Sequence, residues 1–460
     1  MERILILGAG RSAASLIHYL LEHAQTHSWQ ITIGDSMLEQ AKQMASGYAD
    51  TRVIAFDVND NEQLQAEVAR AEVVISLLPA QFHILVAHAC LNHKRPLFTA
   101  SYVSAEMEAL APRVEDAGLL FVMECGLDPG IDHMTAMQAI HRIRKEGGKL
   151  FSFKSYAGGL LAPQSEDNPW RYKFTWNPRN VVLAGQGTAQ FIRNGHYKYI
   201  PYHGLFGRLE TLEVPGYGTF EAYPNRDSLG YRKVYGLHDI PTMLRGTMRR
   251  PGFSQAWQLL VKLGLTENSY KLENSEKMTY RAFVNSFLAY DTERSVEEKF
   301  CAYLGVTTED EAYQKVAWLG LFEDEVIGLA NATPAEVLQK RLMEKWHFGE
   351  EDRDMIVMHH QFGYLKDGKP HCLEASLVSI GQDSLHTAMS NTVGWPLAIA
   401  VKNYMLGKLN LKGIHRPMNP ELYEPILQEL DAMGIEMTEE EKEWTEPLPP
   451  SILEMQVVGQ

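Results

Sequence analysis

Cysteine is scarce in this chain of 460 residues, which holds four: Cys90, Cys125, Cys301 and Cys372. They stand far apart, with no CxxC pair and no Cys/His ligand spacing. That pattern excludes a zinc module and a disulfide framework, so free thiols in a reducing cytosol, and no metal, are expected. Positive charge is also in deficit: 43 Lys and Arg face 58 Asp and Glu, a formal net charge of −15. General nucleic-acid affinity is excluded, because neutralising phosphates needs a basic surface. An anionic small molecule is not, since a local arginine cluster can dominate a cleft. Long apolar runs are missing too. None reaches the ~20 residues that span a bilayer. The chain opens on strand-like Arg3-Ile4-Leu5-Ile6-Leu7, with no signal-peptide charge pattern or cleavage site. A cytoplasmic protein with no membrane and no nucleic-acid partner is expected. Composition suggests disorder in one place, where Pro447, Pro449 and Pro450 follow a run of glutamates.

What is present is a globular composition, 45% hydrophobic and 22% charged, in a chain too long for one compact core. Strand-like runs occur at 3–7, 30–34, 51–56, 73–78, 96–99 and 119–123. Helical spacing fills 12–24, 36–46, 60–70, 81–92 and 104–116 between them. Short apolar strands alternating with amphipathic helices predict an α/β fold with a parallel sheet, and six such strands suit a Rossmann dinucleotide-binding domain. After about residue 131 the character changes. A helix is expected over 131–145, then an α+β region to 250 with β-like segments at 151–157, 180–184 and 218–223. Residues 251–346 read as mainly helical. Paired strands are expected at 354–363 and 370–380 around the turn Lys366-Asp367-Gly368-Lys369, and helices at 384–405 and 419–431.

Gly8-Ala9-Gly10-Arg11-Ser12-Ala13 fits GxGxxA, and it sits between the first strand and the first helix. Gly8 permits the tight turn, Gly10 lets the backbone approach a pyrophosphate, and Ala13 lets helix and strand pack closely. The pyrophosphate would rest on free N–H groups at the helix N-terminus. Asp35 ends the second strand, where an acid accepts both ribose hydroxyls. That choice favours NAD over NADP, since a 2′-phosphate would face a carboxylate, and no basic residue follows at 36–38. Asp57 and Val58 end the third strand as candidates to flank the adenine. Ser76-Leu77-Leu78-Pro79 ends the fourth, under the nicotinamide half. His83 follows, and a lone histidine there is expected to be an ordinary, partly exposed residue. Ser101 and Tyr102 follow the fifth strand, at the sheet end where ligands bind, while Ser104 reads as a helix N-cap. Leu127-Asp128-Pro129-Gly130 forms a dense turn after the sixth strand. Asp128 there could hold a substrate ammonium, and Asp132 and His133 could either join it or cap the next helix.

Seven segments carry a resemblance: TASYVS (99–104), GLDPGIDH (126–133), SYAGGLLAP (155–163), NPWRYKFTW (168–176), YPNRDS (223–228), RGTMRRPGF (245–253) and RDMIVMHHQFG (353–363). In this order they resemble the saccharopine reductases, the glutamate-forming saccharopine dehydrogenases, from the glycine turn to about residue 424. The resemblance implies interconversion of saccharopine with glutamate and α-aminoadipate semialdehyde, using NADP or NAD. It implies a Rossmann domain over 1–130, completed by 395–460, and an α+β substrate and dimerisation domain over 131–250 and 347–394. A small helical insertion would fill 251–346, and the molecule would be a homodimer. Ser101 and Tyr102 would touch substrate, Asp128 with Leu127 and Pro129 would lie by the nicotinamide, and Arg226 would clamp a carboxylate. Arg245, Gly246 and Thr247 would hold another. The family's cysteine in the S-Y-C-G-G turn is Ala157 here, so any role for that thiol is absent. The acidic Asp35 also departs from members with a basic residue for NADP.

The chemistry makes sense residue by residue. Saccharopine has three carboxylates, and planar bidentate grip favours Arg. Arg226 is the first candidate, and Arg245, Arg171 and Lys173 are others. Hydride loss from the carbon on the secondary nitrogen gives an imine, water adds, and the carbinolamine collapses to aldehyde and amine. A proton relay near neutral pH is required, and Asp128, Lys173 and Tyr102 are its candidates. A related imine reductase, such as one making carboxynorspermidine, and a non-catalytic NAD-binding protein remain as alternatives.

Overall fold

The computed structural model describes residues 2–48, 51–450 and 452–453. The chain divides into two compact units: Met1–Gly148 with Leu377–Thr438, and Lys149–Ser376 with Glu439–Gln460.

In the first unit, β1 (Arg3–Leu7), β2 (Gln30–Asp35), β3 (Arg52–Ala55), β4 (Val73–Ser76), β5 (Leu97–Phe98) and β6 (Leu120–Val122) form one parallel sheet, joined at its edge by Gly413–His415. The order is 413–415, β6, β5, β4, β1, β2, β3, the doubly wound arrangement of a Rossmann domain. Four of the five residues of β1 are buried, because helices cover both faces. One face packs Leu5, Leu7, Val74, Val86, Cys90, Val114 and Phe121 into a core. Register then decides where chemistry can happen. Leu7 lies beside Gly34 and beside Ser76, so Gly8, Asp35 and Leu77 emerge together at the C-terminal end of the sheet. The first helix, α1 (Ala14–His27), follows a single 3-10 turn, Arg11–Ala13. Ser15 Oγ donates to Asn391 Oδ1 at 2.6 Å, which ties α1 to the helix Ala388–Met405. The expected helix at 104–116 is two short ones, Ala105–Glu108 and Ala111–Asp116, with Pro112 in the first turn of the second.

Among the described residues, the second unit is built on a nine-stranded sheet. Its longest strands, Lys149–Leu161 and Asp354–Lys366, run antiparallel at the centre, and Thr242–Arg249 lies parallel to the first of them. The expected hairpin turns at Asp367-Gly368, both in the left-handed region, which two-residue primed turns require. One expected strand is corrected here. Residues 180–184 are not a strand, for Pro178–Val182 is a helical turn capped by Asn177. An Asn cap followed by Pro outweighs the β preference of two valines. A hairpin of Ala189–Arg193 with His196–Ile200 went unread although Asn194-Gly195 is a strong turn signal. In the glutamate run ahead of Pro447, Pro449 and Pro450, Thr438–Glu443 adds an exposed edge strand beside Lys369–Ile380, and Lys442 Nζ meets Glu374 at 2.7 Å. Residues 251–346 carry helices such as Phe253–Leu263 and Pro334–Lys345, packed through Trp170, Trp257 and Trp346.

Candidate active site

The glycine turn has the geometry a dinucleotide needs. Gly8 has φ +103°, and a Cβ there would sit 2.9 Å from the backbone carbon and oxygen of Leu77, so only glycine fits. Gly10 is extended, and a Cβ on it would meet nothing within 4 Å, which leaves the backbone open to a phosphate. No side chain caps the helical turn that begins at Arg11, so its first N–H groups can bind an anion. Ala9, Ser12 and Ala13 complete the turn, and the Arg11 side chain lies outside the described residues. Asp35 braces the turn: Oδ2 accepts from the Ala9 N–H at 2.6 Å, and Oδ1 accepts from the Met37 N–H at 2.7 Å. A carboxylate has acceptor sites to spare after two bonds. Asp57 caps its own turn by accepting from Asn59, and Val58 is buried beside it.

At the ends of β4 and β5 the hydroxyls are linked. Leu77 N–H bonds to Leu7 O, which carries Ser76-Leu77-Leu78-Pro79 past the glycine turn. Ser76 Oγ lies 2.8 Å from His83 Nδ1, and His83 Nε2 lies 2.6 Å from Ser101 Oγ. His83 is 3% exposed, so the expectation of an ordinary, partly exposed residue is corrected. Burial pushes its imidazole down to about 4. Residue type alone could not reveal this, since the burial depends on two other strands. Tyr102 donates from its hydroxyl to Asp128 Oδ1 at 3.0 Å. The turn holding Asp128 folds on itself, with Gly126 N–H to Pro129 O and Asp132 N–H to Leu127 O. Gly130, at φ +149°, could carry no side chain, because its Cβ would lie 2.0 Å from Gly126 O. Asp132 accepts from the Gly130 N–H, and Ser104 caps its helix by accepting from the Met107 N–H, as expected.

A buried ionic cluster stands behind these residues, and the sequence reading missed its hub, Glu124. Glu124 is 1% exposed and sits at φ +57°. It accepts from the Val103 N–H at 3.0 Å, from His133 Nε2 at 2.8 Å and from Arg416 Nε at 2.9 Å. Burial alone would raise its carboxyl, but His133, Arg416 and the Val103 N–H outweigh that and hold it at about 2.

The second unit holds the cations. Arg226 follows the strand Gly218–Pro224, at φ +28°, and its side chain is exposed. Its carbonyl accepts from the Gln190 N–H at 2.7 Å. Arg245 lies on the neighbouring strand. It is buried, its guanidinium 4.3 Å from the centre of the Tyr231 ring, and its carbonyl accepts from the Asn225 N–H. The backbones at Asn225-Arg226 and Arg245 therefore run side by side. Gly246 packs against Tyr156, and Thr247 faces Tyr223 and Ala157 across the sheet. Lys173 is occupied elsewhere: its Nζ bonds to Asp167 at 2.7 Å and to both oxygens of Asp352 at 2.8 and 2.9 Å. Burial lowers the ammonium, but the two carboxylates outweigh it and raise it. Arg171 pairs with Glu166.

No group of three or more His, Cys, Asp or Glu among the described residues is placed to hold a metal, and no described helix is long and apolar enough to cross a membrane. Residues 4–122 match the saccharopine dehydrogenase NADP binding domain, and residues 126–435 match the saccharopine dehydrogenase C-terminal domain. The chain is 33% identical over 447 residues to saccharopine dehydrogenase [NADP(+), L-glutamate-forming] of Saccharomyces cerevisiae, covering 95% of this chain and 99% of that one. It is 34% identical over 442 residues to the mitochondrial alpha-aminoadipic semialdehyde synthase of Rattus norvegicus, covering 94% of this chain but 47% of that protein. The chain thus spans about half the length of this relative. The solved apo saccharopine dehydrogenase (L-Glu forming) of Saccharomyces cerevisiae superposes with a TM-score of 0.86 at 32% identity, covering 96% of this chain and 100% of that one.

Proposed function

Because the chain belongs to the saccharopine dehydrogenase family, we propose that it is a nicotinamide-dependent oxidoreductase that interconverts saccharopine with L-glutamate and α-aminoadipate semialdehyde. The observation that carries this reading is the end-to-end match to the Saccharomyces cerevisiae enzyme. A bound nicotinamide ring would supply the hydride acceptor. The residues of this chain do the rest. Arg226 and Arg245 grip carboxylates, and such remote grips fix the C–H bond that must break. Asp128 takes up a proton through Tyr102, whose hydroxyl already donates to it. Lys173, locked between Asp167 and Asp352, suits positioning of its loop better than relay. The helical stretch 251–346 is read as an insertion, and the molecule as a cytoplasmic homodimer. Support for the cytoplasm comes from four cysteines that are all free thiols.

The chain binds a nicotinamide dinucleotide. We propose further that it prefers NAD, although its fungal relatives are named for NADP(+). What supports this is that Asp35 ends β2, where an acid accepts the ribose hydroxyls in such domains, and a 2′-phosphate would meet its carboxylate. Asp35→Ala is expected to weaken NAD about tenfold more than NADP, since a hydrogen bond to a charged group is worth roughly 1.5–3 kcal/mol, while loss of the bond to the Ala9 N–H is felt by both cofactors. Titration of each reduced cofactor by fluorescence reads both constants. Equal losses would remove the assignment.

The reaction itself is tested by mixing purified protein with saccharopine and either oxidised cofactor. Growth of the reduced-nicotinamide absorbance band, with glutamate and the semialdehyde as products, is the expected result. Reduction of a polyamine-type imine alone would replace the substrate, and no turnover with any imine would leave a dinucleotide-binding protein.

A further inference from the structure

We propose that His83 is a positioning residue that turns the Ser101 hydroxyl hydrogen away from itself, so that the hydroxyl can donate to a carboxylate oxygen of the substrate. This rests on Ser101 lying in the substrate site of the function proposed above.

Ser76 is fully buried at the end of β4, and His83 Nδ1 is the one hydrogen-bond partner of its hydroxyl among the described residues. His83 is buried at the start of the helix His83–His93, with no carboxylate against it among the described residues. Desolvation keeps the imidazole neutral above about pH 4. A neutral imidazole has one N–H and one bare nitrogen. Two arrangements are therefore possible. If Nδ1 carried the hydrogen and donated to Ser76, the Ser76 O–H would be buried with nothing to accept it, and an orphaned buried donor is costly. If Nδ1 is bare, Ser76 donates to it and is satisfied. Nε2 then carries the hydrogen and donates to Ser101 Oγ at 2.6 Å. The Ser101 oxygen is already used as an acceptor, so its own hydrogen turns outward.

The consequence is orientation. With one lone pair taken by His83, the Ser101 hydrogen is held outward, poised to donate to a carboxylate. Ser76 thus sets, through one ring, the direction of the hydrogen on a hydroxyl just past the end of β5. Neither serine could do so alone, because an isolated hydroxyl rotates to suit whatever it meets.

Two measurements test this. In the first, nitrogen NMR of protein with 15N-labelled histidine, run without substrate near neutral pH, should show His83 with a protonated Nε2 and a bare Nδ1. The reverse tautomer, or an imidazolium, would overturn the proposal whatever reaction the protein catalyses. The second compares His83→Leu with His83→Gln, using saccharopine as substrate. Leu removes the donor, so KM for saccharopine should rise about tenfold or more while kcat and the cofactor KM change less than threefold, as loss of a ground-state contact requires. Gln places an amide N–H near the lost Nε2 and should recover most of the KM. If both variants match the wild type, or if kcat falls with KM unchanged, His83 does not act this way. Far-UV circular dichroism confirms that each variant is folded. A wild type inactive on saccharopine would sink the proposed reaction but leave the NMR result to decide the tautomer.

Discussion

Replacing Arg226 with alanine is expected to raise the KM for saccharopine by about two orders of magnitude, with cofactor affinity and thermal stability unchanged. Truncating one partner of a hydrogen-bonded charge pair typically costs 2–5 kcal/mol. Here the cost should fall on binding, not folding. Arg226 is exposed, and its side chain makes no ion pair or hydrogen bond among the described residues. What holds the residue is its backbone: the carbonyl takes the Gln190 N–H, and Asp227 accepts from the Leu229 and Gly230 N–H groups to close the turn. A non-glycine residue held at φ +28° is strained, and such strain clusters where a side chain must be aimed. The neighbouring Arg245 is different, being buried and stacked on Tyr231, so its loss would disturb packing as well. Arg226→Lys separates charge from shape. It should recover only part of the loss, because an ammonium cannot make the two parallel bonds of a guanidinium. Steady-state kinetics in both substrates, with a melting curve for each variant, decides the matter. An unaltered saccharopine KM in the alanine variant would refute the clamp.

The features legible in the sequence were those with local causes. The glycine turn announces itself because its tight φ, its open backbone and its helix start all fall within six residues. Asp35 is legible because β2 must end beside β1. The resemblance carried Arg226 and Arg245, which composition alone would have left among the surface charges. What escaped depends on partners distant in the chain. His83 is ordinary by residue type, and only the meeting of β4 and β5 buries it between two hydroxyls. Glu124 became a hub because Arg416, nearly three hundred residues away, returns to it. Two local signals also count against the sequence reading: Asn177-Pro178 starts a helical turn in spite of a pair of valines, and Asn194-Gly195 turns a hairpin. The pair of aspartates that engages Lys173 was invisible in the sequence, since one of them, Asp352, lies 179 residues away.

Glu124→Gln should cost the first unit about 3–5 kcal/mol near neutral pH, because removing one partner of a buried ionic group leaves the others uncompensated. His133 and Arg416 would then face an amide. For a unit of this size each kcal/mol lowers Tm by about 2–4 °C, so a drop on the order of 10 °C is expected. The effect must also depend on pH with a definite sign. The folded carboxyl titrates at about 2 and the ordinary one at 4.5, so the folded value is depressed. Its contribution is complete above pH 4.5 and is lost as the pH falls toward 2, amounting to about 3 kcal/mol across that window. Wild type and variant should therefore differ most above pH 4.5 and converge on acidification. The same substitution reaches the site. Glu124 anchors the Val103 N–H, and Val103 follows Tyr102, whose hydroxyl donates to Asp128. If that anchor fixes the relay, kcat of the folded variant should fall at temperatures well below its Tm. Equal melting temperatures at pH 7, or a gap that widens in acid, would show that Glu124 is not the paired carboxylate described.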